Sequence, residues 1–149
     1  MKIRPAYLTD ITGIVRFCVE RQSKVLGEED PPVSPNHLRR NLGVAMRDKD
    51  TQIFIAITKD GGLAGVLWAW LAGYVWSHER YVTDILFVAD QGGNYLINKM
   101  LDWAASRNVH RATMQTHLNG GERVKNLYQR KAFREVGAVF ERNQNVKGI

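Results

Sequence analysis

Apolar residues recur along this chain at two spacings, and each change of spacing marks a new element. Residues 2–7 alternate and predict a short strand. Thr9 or Asp10 then stands at the N-cap of a helix whose apolar face is Ile11, Ile14, Val15 and Cys18. That helix fades near Gln22, and the stretch "GEEDPPVSP", with three prolines, reads as a loop. Ser34 and Pro35 open a second helix with Leu38, Leu42, Ala45 and Met46 on one face. Residues 51–58, rich in β-branched side chains, predict a strand, and "KDGG" a turn. Residues 63–76 are apolar at nearly every position, as in a central strand covered on both faces. "SHER" reads as the next turn and 81–89 as a further strand, so 51–89 forms an antiparallel meander.

The second half alternates helix and strand. "DQGGN" is a glycine-containing loop, and 95–107 a helix with Leu96, Met100, Leu101, Trp103 and Ala104 on its apolar side. Residues 111–118 predict a strand, "NGGE" a break, 123–131 a short helix and 133–142 a last strand. The order β-α-α-β-β-β-α-β-α-β describes one α+β domain over 1–149 with a mixed sheet and helices on both faces.

Composition narrows the function classes. The hydrophobic fraction of 44% fills a real core, and no apolar run has the length of a membrane helix. The N-terminus has no signal-peptide pattern, and Cys18 is the only cysteine, which points to a reducing cytoplasm. A net charge of +6 attracts anions, either nucleic acid or a small polyphosphate such as coenzyme A. The basic residues are dispersed and no nucleic-acid motif accompanies them, so nucleic-acid binding ranks last. His37, His78, His110 and His117 have no metal-ligand spacing, and no metal is expected.

The element order and the residues at its joints resemble the GNAT family of acetyltransferases over nearly the whole chain. "NLYQRKAFREVG" looks like the family's tail pattern, with Leu127, Tyr128 and Phe133 at the usual spacing and Ala132 in place of the customary glycine. "TDILFV" is similar to the fourth strand, with Asp84 in the acidic position. "DQGGNYL" stands where the family wraps the coenzyme A pyrophosphate. There Gln91 fits the Gln/Arg-x-x-Gly-x-Gly/Ala pattern, while Asn94 replaces its first required glycine and Leu96 its small residue. Gly92 and Gly93 still allow backbone N–H groups to approach a phosphate. The departure weighs on coenzyme binding more than on fold. The chain also resembles GNAT-like proteins encoded by tailed phages.

The resemblance implies an N-acetyltransferase that takes acetyl-CoA and an amine acceptor, either a small molecule or a protein. A homodimer stays open. Leu86, Phe87 and Val88 would pair with the pantetheine, while Gln91, Gly92, Gly93, Asn94, Tyr95 and Leu96 would hold the pyrophosphate. Tyr128 would act as the acid for the leaving thiolate; its plainer role is a helix aromatic packed on the last strand. Asp84 would act as the base; its plainer role is a surface or arginine-paired carboxylate. Asn119 matches an asparagine that touches the cofactor in relatives, although turn chemistry explains "NGG" as well. Trp68, Trp70 and Trp76 share a strand face with Val66 and Tyr74, either as core wall or as the lining of an acceptor pocket. The rival function is a catalytically inactive GNAT-like binding or virion-associated module.

Overall fold

The computed structural model describes residues 1–27, 30–116, 121–140, 142 and 144. Its elements are β1 (Lys2–Pro5), α1 (Ile11–Glu20), α2 (Gln22–Val25), α3 (Pro35–Ala45), β2 (Thr51–Ile57), β3 (Leu63–Tyr74), β4 (Ser77–Ala89), α4 (Gly93–Ser106), β5 (Arg111–Thr113) and α5 (Gly121–Arg130). The strands form one sheet in the order β1-β2-β3-β4-β5. All pairs are antiparallel except β4 with β5, which is parallel.

Alternation along β2 sends its side chains to two separate cores. Ile53 and Ile55 join Val66, Val88 and the apolar faces of α1 and α3. Phe54 and Ala56 join Leu67, Ala69, Leu71 and Val82 against Leu96, Ile97, Met100 and Ala104 of α4 and Tyr128 of α5. The sheet is thus covered on both faces, and β3 is buried on both sides along most of its length. Leu38, Leu42, Ala45 and Met46 pack on the sheet as the spacing predicts.

Two sequence expectations change. The turn between β3 and β4 is Val75 and Trp76, not "SHER", which belongs to β4. Trp76 therefore leaves the strand face it was expected to share. Of the predicted last strand, 133–142, the described residues 133–140 pair with no strand among the described residues, and Val136, Val139 and Phe140 are exposed. A strand is stabilised by a partner edge more than by its own side chains. The described part of β5 is only three residues long and pairs with β4 alone.

Candidate functional site

Strands β4 and β5 pair only from Tyr81–Arg111 to Thr83–Thr113. β4 continues for six residues beyond that point. Among the described residues, no strand pairs with 85–89 on the side of β4 away from β3. Leu86, Phe87 and Val88 lie on this open edge, with Leu86 and Val88 packed toward α1 and Phe87 toward α4 and α5.

Plain alternation puts Asp84, two residues after Val82, on the face of Val82 and Ala69, toward α5. Trp68 pairs with Leu86 and Ala69 with Asp84, so Ile85 is one residue too many on β4. The bulge sends Leu86 and Val88 to the opposite face, against α1. There its carboxylate Oδ1 accepts the Gln115 backbone N–H at 3.1 Å. The Tyr128 hydroxyl donates to the carbonyl of the same residue, Gln115, at 2.7 Å. One peptide residue beyond β5 therefore joins the two side chains expected to act as base and acid. Burial, and then the negative charge of Asp84, push the Tyr128 phenol well above the usual tyrosine range.

Tyr128 is 8% exposed. Its ring stacks on Phe87 at 6.5 Å between centroids and meets Phe133 at 5.8 Å. Phe133 reaches it because α5 ends in a tight reversal. Ala132 adopts φ 64, and the Phe133 N–H donates back to the Tyr128 carbonyl at 3.0 Å. The spacing of tyrosine and phenylalanine in the sequence thus places both rings in one cluster.

At the far end of the open edge, Asp90 leads into the start of α4. Gly92 is its N-cap, at φ 81. A Cβ there would meet Met1 Sδ at 2.5 Å and Ala56 Cβ at 3.0 Å, so both the backbone angle and the space require glycine. The Leu96 N–H donates to Gly92 O, so the N–H groups of Gly93, Asn94 and Tyr95 are the ones without an intrahelical acceptor. Gln91, Asn94 and Tyr95 are exposed. Leu96 does not crowd this turn. Its side chain is fully buried and fills the space above Gly65, where an added Cβ would lie 2.9 Å from Leu96 Cδ1.

Charges that sequence inspection did not single out collect around this joint. Arg21 donates through two nitrogens to Asp90 Oδ2, at 2.9 and 2.7 Å, and Lys24 Nζ reaches Oδ1 at 2.9 Å. The Arg21 hydrogen bond, ahead of the Lys24 one, holds the Asp90 carboxyl down to about 2. Arg123 of α5 donates to the Asp90 carbonyl at 3.4 Å. It lines an open groove with Asn126, Gln129 and Arg130. These partners lie up to 69 residues apart in the chain, so no local spacing could have signalled them.

Asn119 and His117 lie outside the described residues. His37 and His110 make hydrogen-bond contacts with the amides of Asn41 and Asn108. Cys18 is buried in the α1 core, and that burial pushes its thiol up to about 11. Among the described residues no group of three or more His, Cys, Asp or Glu side chains is placed to hold a metal, and no helix is long and apolar enough to cross a membrane.

No family model matches the chain, and neither does the sequence of any curated protein. Solved structures do match. An aminoglycoside 6'-N-acetyltransferase from Acinetobacter haemolyticus superposes with a TM-score of 0.71 at 15% identity, covering 99% of this chain and 100% of its own. A predicted acetyltransferase from Clostridium acetobutylicum, solved with acetyl-CoA, gives 0.71 at 14% identity, covering 95% of each chain. A transcriptional regulator from Bacillus halodurans gives 0.74 at 16% identity, covering 95% of this chain and 98% of its own. Together with the parting of β4 from β5 and the glycine-started α4, these matches establish that the chain has the GNAT acetyltransferase fold.

Proposed function

We propose that the protein moves an acetyl group from acetyl-CoA directly to the amine of an acceptor. The observation that carries this reading is the open edge of β4, with the glycine-capped start of α4 at one end and the Asp84–Gln115–Tyr128 group at the other. An extended pantetheine adds to such an edge as a further strand, through Leu86, Phe87 and Val88. The pyrophosphate rests on the N–H groups of Gly93, Asn94 and Tyr95, where the helix dipole favours negative charge, with Gln91 and Gly92 forming the approach. The Arg123 groove supplies cations beside it. Neighbours with acetyltransferase names, one of them solved with acetyl-CoA, support the same assignment.

The chemistry follows from the two side chains at the inner end. The amine nitrogen attacks the acetyl carbonyl, forming the C–N bond, and the C–S bond breaks. Asp84 takes the amine proton, directly or through water, and Tyr128 gives its proton to the leaving thiolate. Tyr128 now donates to Gln115 O, and rotation about its C–O bond alone redirects the proton. Proton exchange with solvent then restores both groups.

The test is thermal unfolding with and without acetyl-CoA, followed by thiol release with an amine panel. A ligand at a hundred times its dissociation constant adds about 2.7 kcal/mol of stability. Tyr128→Phe is expected to keep that stabilisation and to lower kcat about a hundred-fold. No stabilisation at millimolar acetyl-CoA would overturn the assignment in favour of an inactive binding module.

A further inference from the structure

The joint between β4 and α4 carries a carboxylate just where a phosphate would rest. Asp90 stands two residues before Gly92, the N-cap of α4, and three before Gly93, the first N–H without an intrahelical acceptor. Chain connectivity alone keeps Asp90 within about 11 Å of Gly93, Cα to Cα. That lies well inside the screening length of roughly 30 Å at about 0.01 M salt. A bare carboxylate there would oppose a bound pyrophosphate. Asp90 is not bare. Arg21 holds its Oδ2 through two nitrogens, at 2.9 and 2.7 Å, and Lys24 Nζ holds Oδ1 at 2.9 Å.

Both cations come from the other helix layer. Arg21 follows the last residue of α1, and Lys24 lies in α2. Arg21 is itself held. Its guanidinium lies 3.7 Å from the centre of the Phe17 ring, and Nη1 donates to the Phe17 carbonyl and to Glu20, each at 3.3 Å. Its side chain is 22% exposed, against 58% for Lys24, so Arg21 is the better fixed of the two. Two cations on one carboxylate exceed what a fastening pair requires. Arg123, on the Asp90 carbonyl at 3.4 Å, adds charge of the same sign. A fastener and a charge device differ in sign. If the group only fastens α1 and α2 to the sheet, every variant that breaks it loosens the turn and weakens a ligand there. If it sets the local charge, loss of a cation weakens an anion and loss of the carboxylate strengthens it.

We propose that Arg21 and Lys24 are positioning residues for the anionic half of acetyl-CoA: by cancelling Asp90 they let the start of α4 accept a polyphosphate, and Asp90 in turn limits how tightly it is held. The inference rests on the acetyl-transfer reading, which puts the pyrophosphate at this turn. The experiment is calorimetric titration of acetyl-CoA into the full chain at about 0.01 M salt and again at about 0.1 M. It compares wild type with Arg21→Gln, Lys24→Gln, Asp90→Asn and the double variant Arg21→Gln/Asp90→Asn. Melting curves fix a temperature at which every variant is folded. At the lower salt, Kd is expected to rise about three-fold in Arg21→Gln and in Lys24→Gln, and to fall about three-fold in Asp90→Asn. The double variant is expected to return close to wild type, and all differences to shrink at the higher salt. Weaker binding in Asp90→Asn overturns the inference in favour of a fastening role. A double variant no better than Arg21→Gln overturns it in favour of a direct contact between Arg21 and the ligand. Wild-type affinity in both single-cation variants overturns it while leaving acetyl transfer standing. No binding of acetyl-CoA by the wild type removes both.

Discussion

Ala132 holds a left-handed backbone at φ 64, a conformation that costs a non-glycine residue about 1–2 kcal/mol. The reversal it makes returns Phe133 to the Tyr128 ring, so the strain is stored beside the candidate acid. Ala132→Gly removes that strain and gives back part of it as extra freedom of the unfolded chain. The expected net gain is about 0.5–1 kcal/mol, read as a higher denaturant midpoint at unchanged slope. An unchanged or lower midpoint would mean that the backbone there is relaxed. The position was legible from sequence because the cue is local: alanine stands where the resembling tail pattern has glycine. Asp84 was legible only as an acid inside an apolar run. Its face follows from alternation with Val82, but the faces of Leu86 and Val88 were set by the extra residue Ile85, which periodicity alone does not reveal. Leu96, read as part of the phosphate turn, is a core residue because Gly65, 31 positions earlier, leaves it a space.

At the scale of elements, the start of α4 carries the sharpest prediction. Asn94 is exposed in the first helical turn, where an added carboxylate suits the helix dipole but repels a phosphate. Asn94→Glu is expected to leave the melting temperature unchanged or slightly raised, and to weaken acetyl-CoA about ten-fold in calorimetry at low salt. Equal affinity for wild type and variant would place the pyrophosphate elsewhere. The helices and the meander were read well because each buries one face, and burial writes its period into the sequence. Strand ends were read less well. The start of β4 is polar and exposed, so "SHER" looked like a turn although it pairs with β3. The 133–140 segment has strand-forming residues but pairs with no strand among the described residues, and hydrogen-bond partners cannot be read from a segment alone.

The whole molecule is tied together at Asp90, where α1 and α2 reach the joint between β4 and α4. Asp90 has a folded pKa of about 2 against 3.8 unperturbed. Its stabilising contribution is therefore complete above about pH 4 and is lost as pH falls from there through 2. With the side chain 32% exposed, the contribution after solvent screening is about 1 kcal/mol. Asp90→Asn is expected to lower stability at pH 7 and to flatten the fall between pH 4 and 2, measured by denaturant unfolding across that range. An identical slope in the variant would assign the acid sensitivity to other carboxylates. By itself the sequence determined most element types up to α5, the two-sided sheet and the glycines before α4, because periodicity and turn chemistry act over a few residues. Only the tertiary structure decided that β4 loses β5 after Thr83 and that one residue, Gln115, links Asp84 to Tyr128. It alone placed Arg21 and Lys24 on Asp90 and left Trp70 bare. Each of these depends on groups brought together from distant parts of the chain, and the energy of such contacts leaves no period to read.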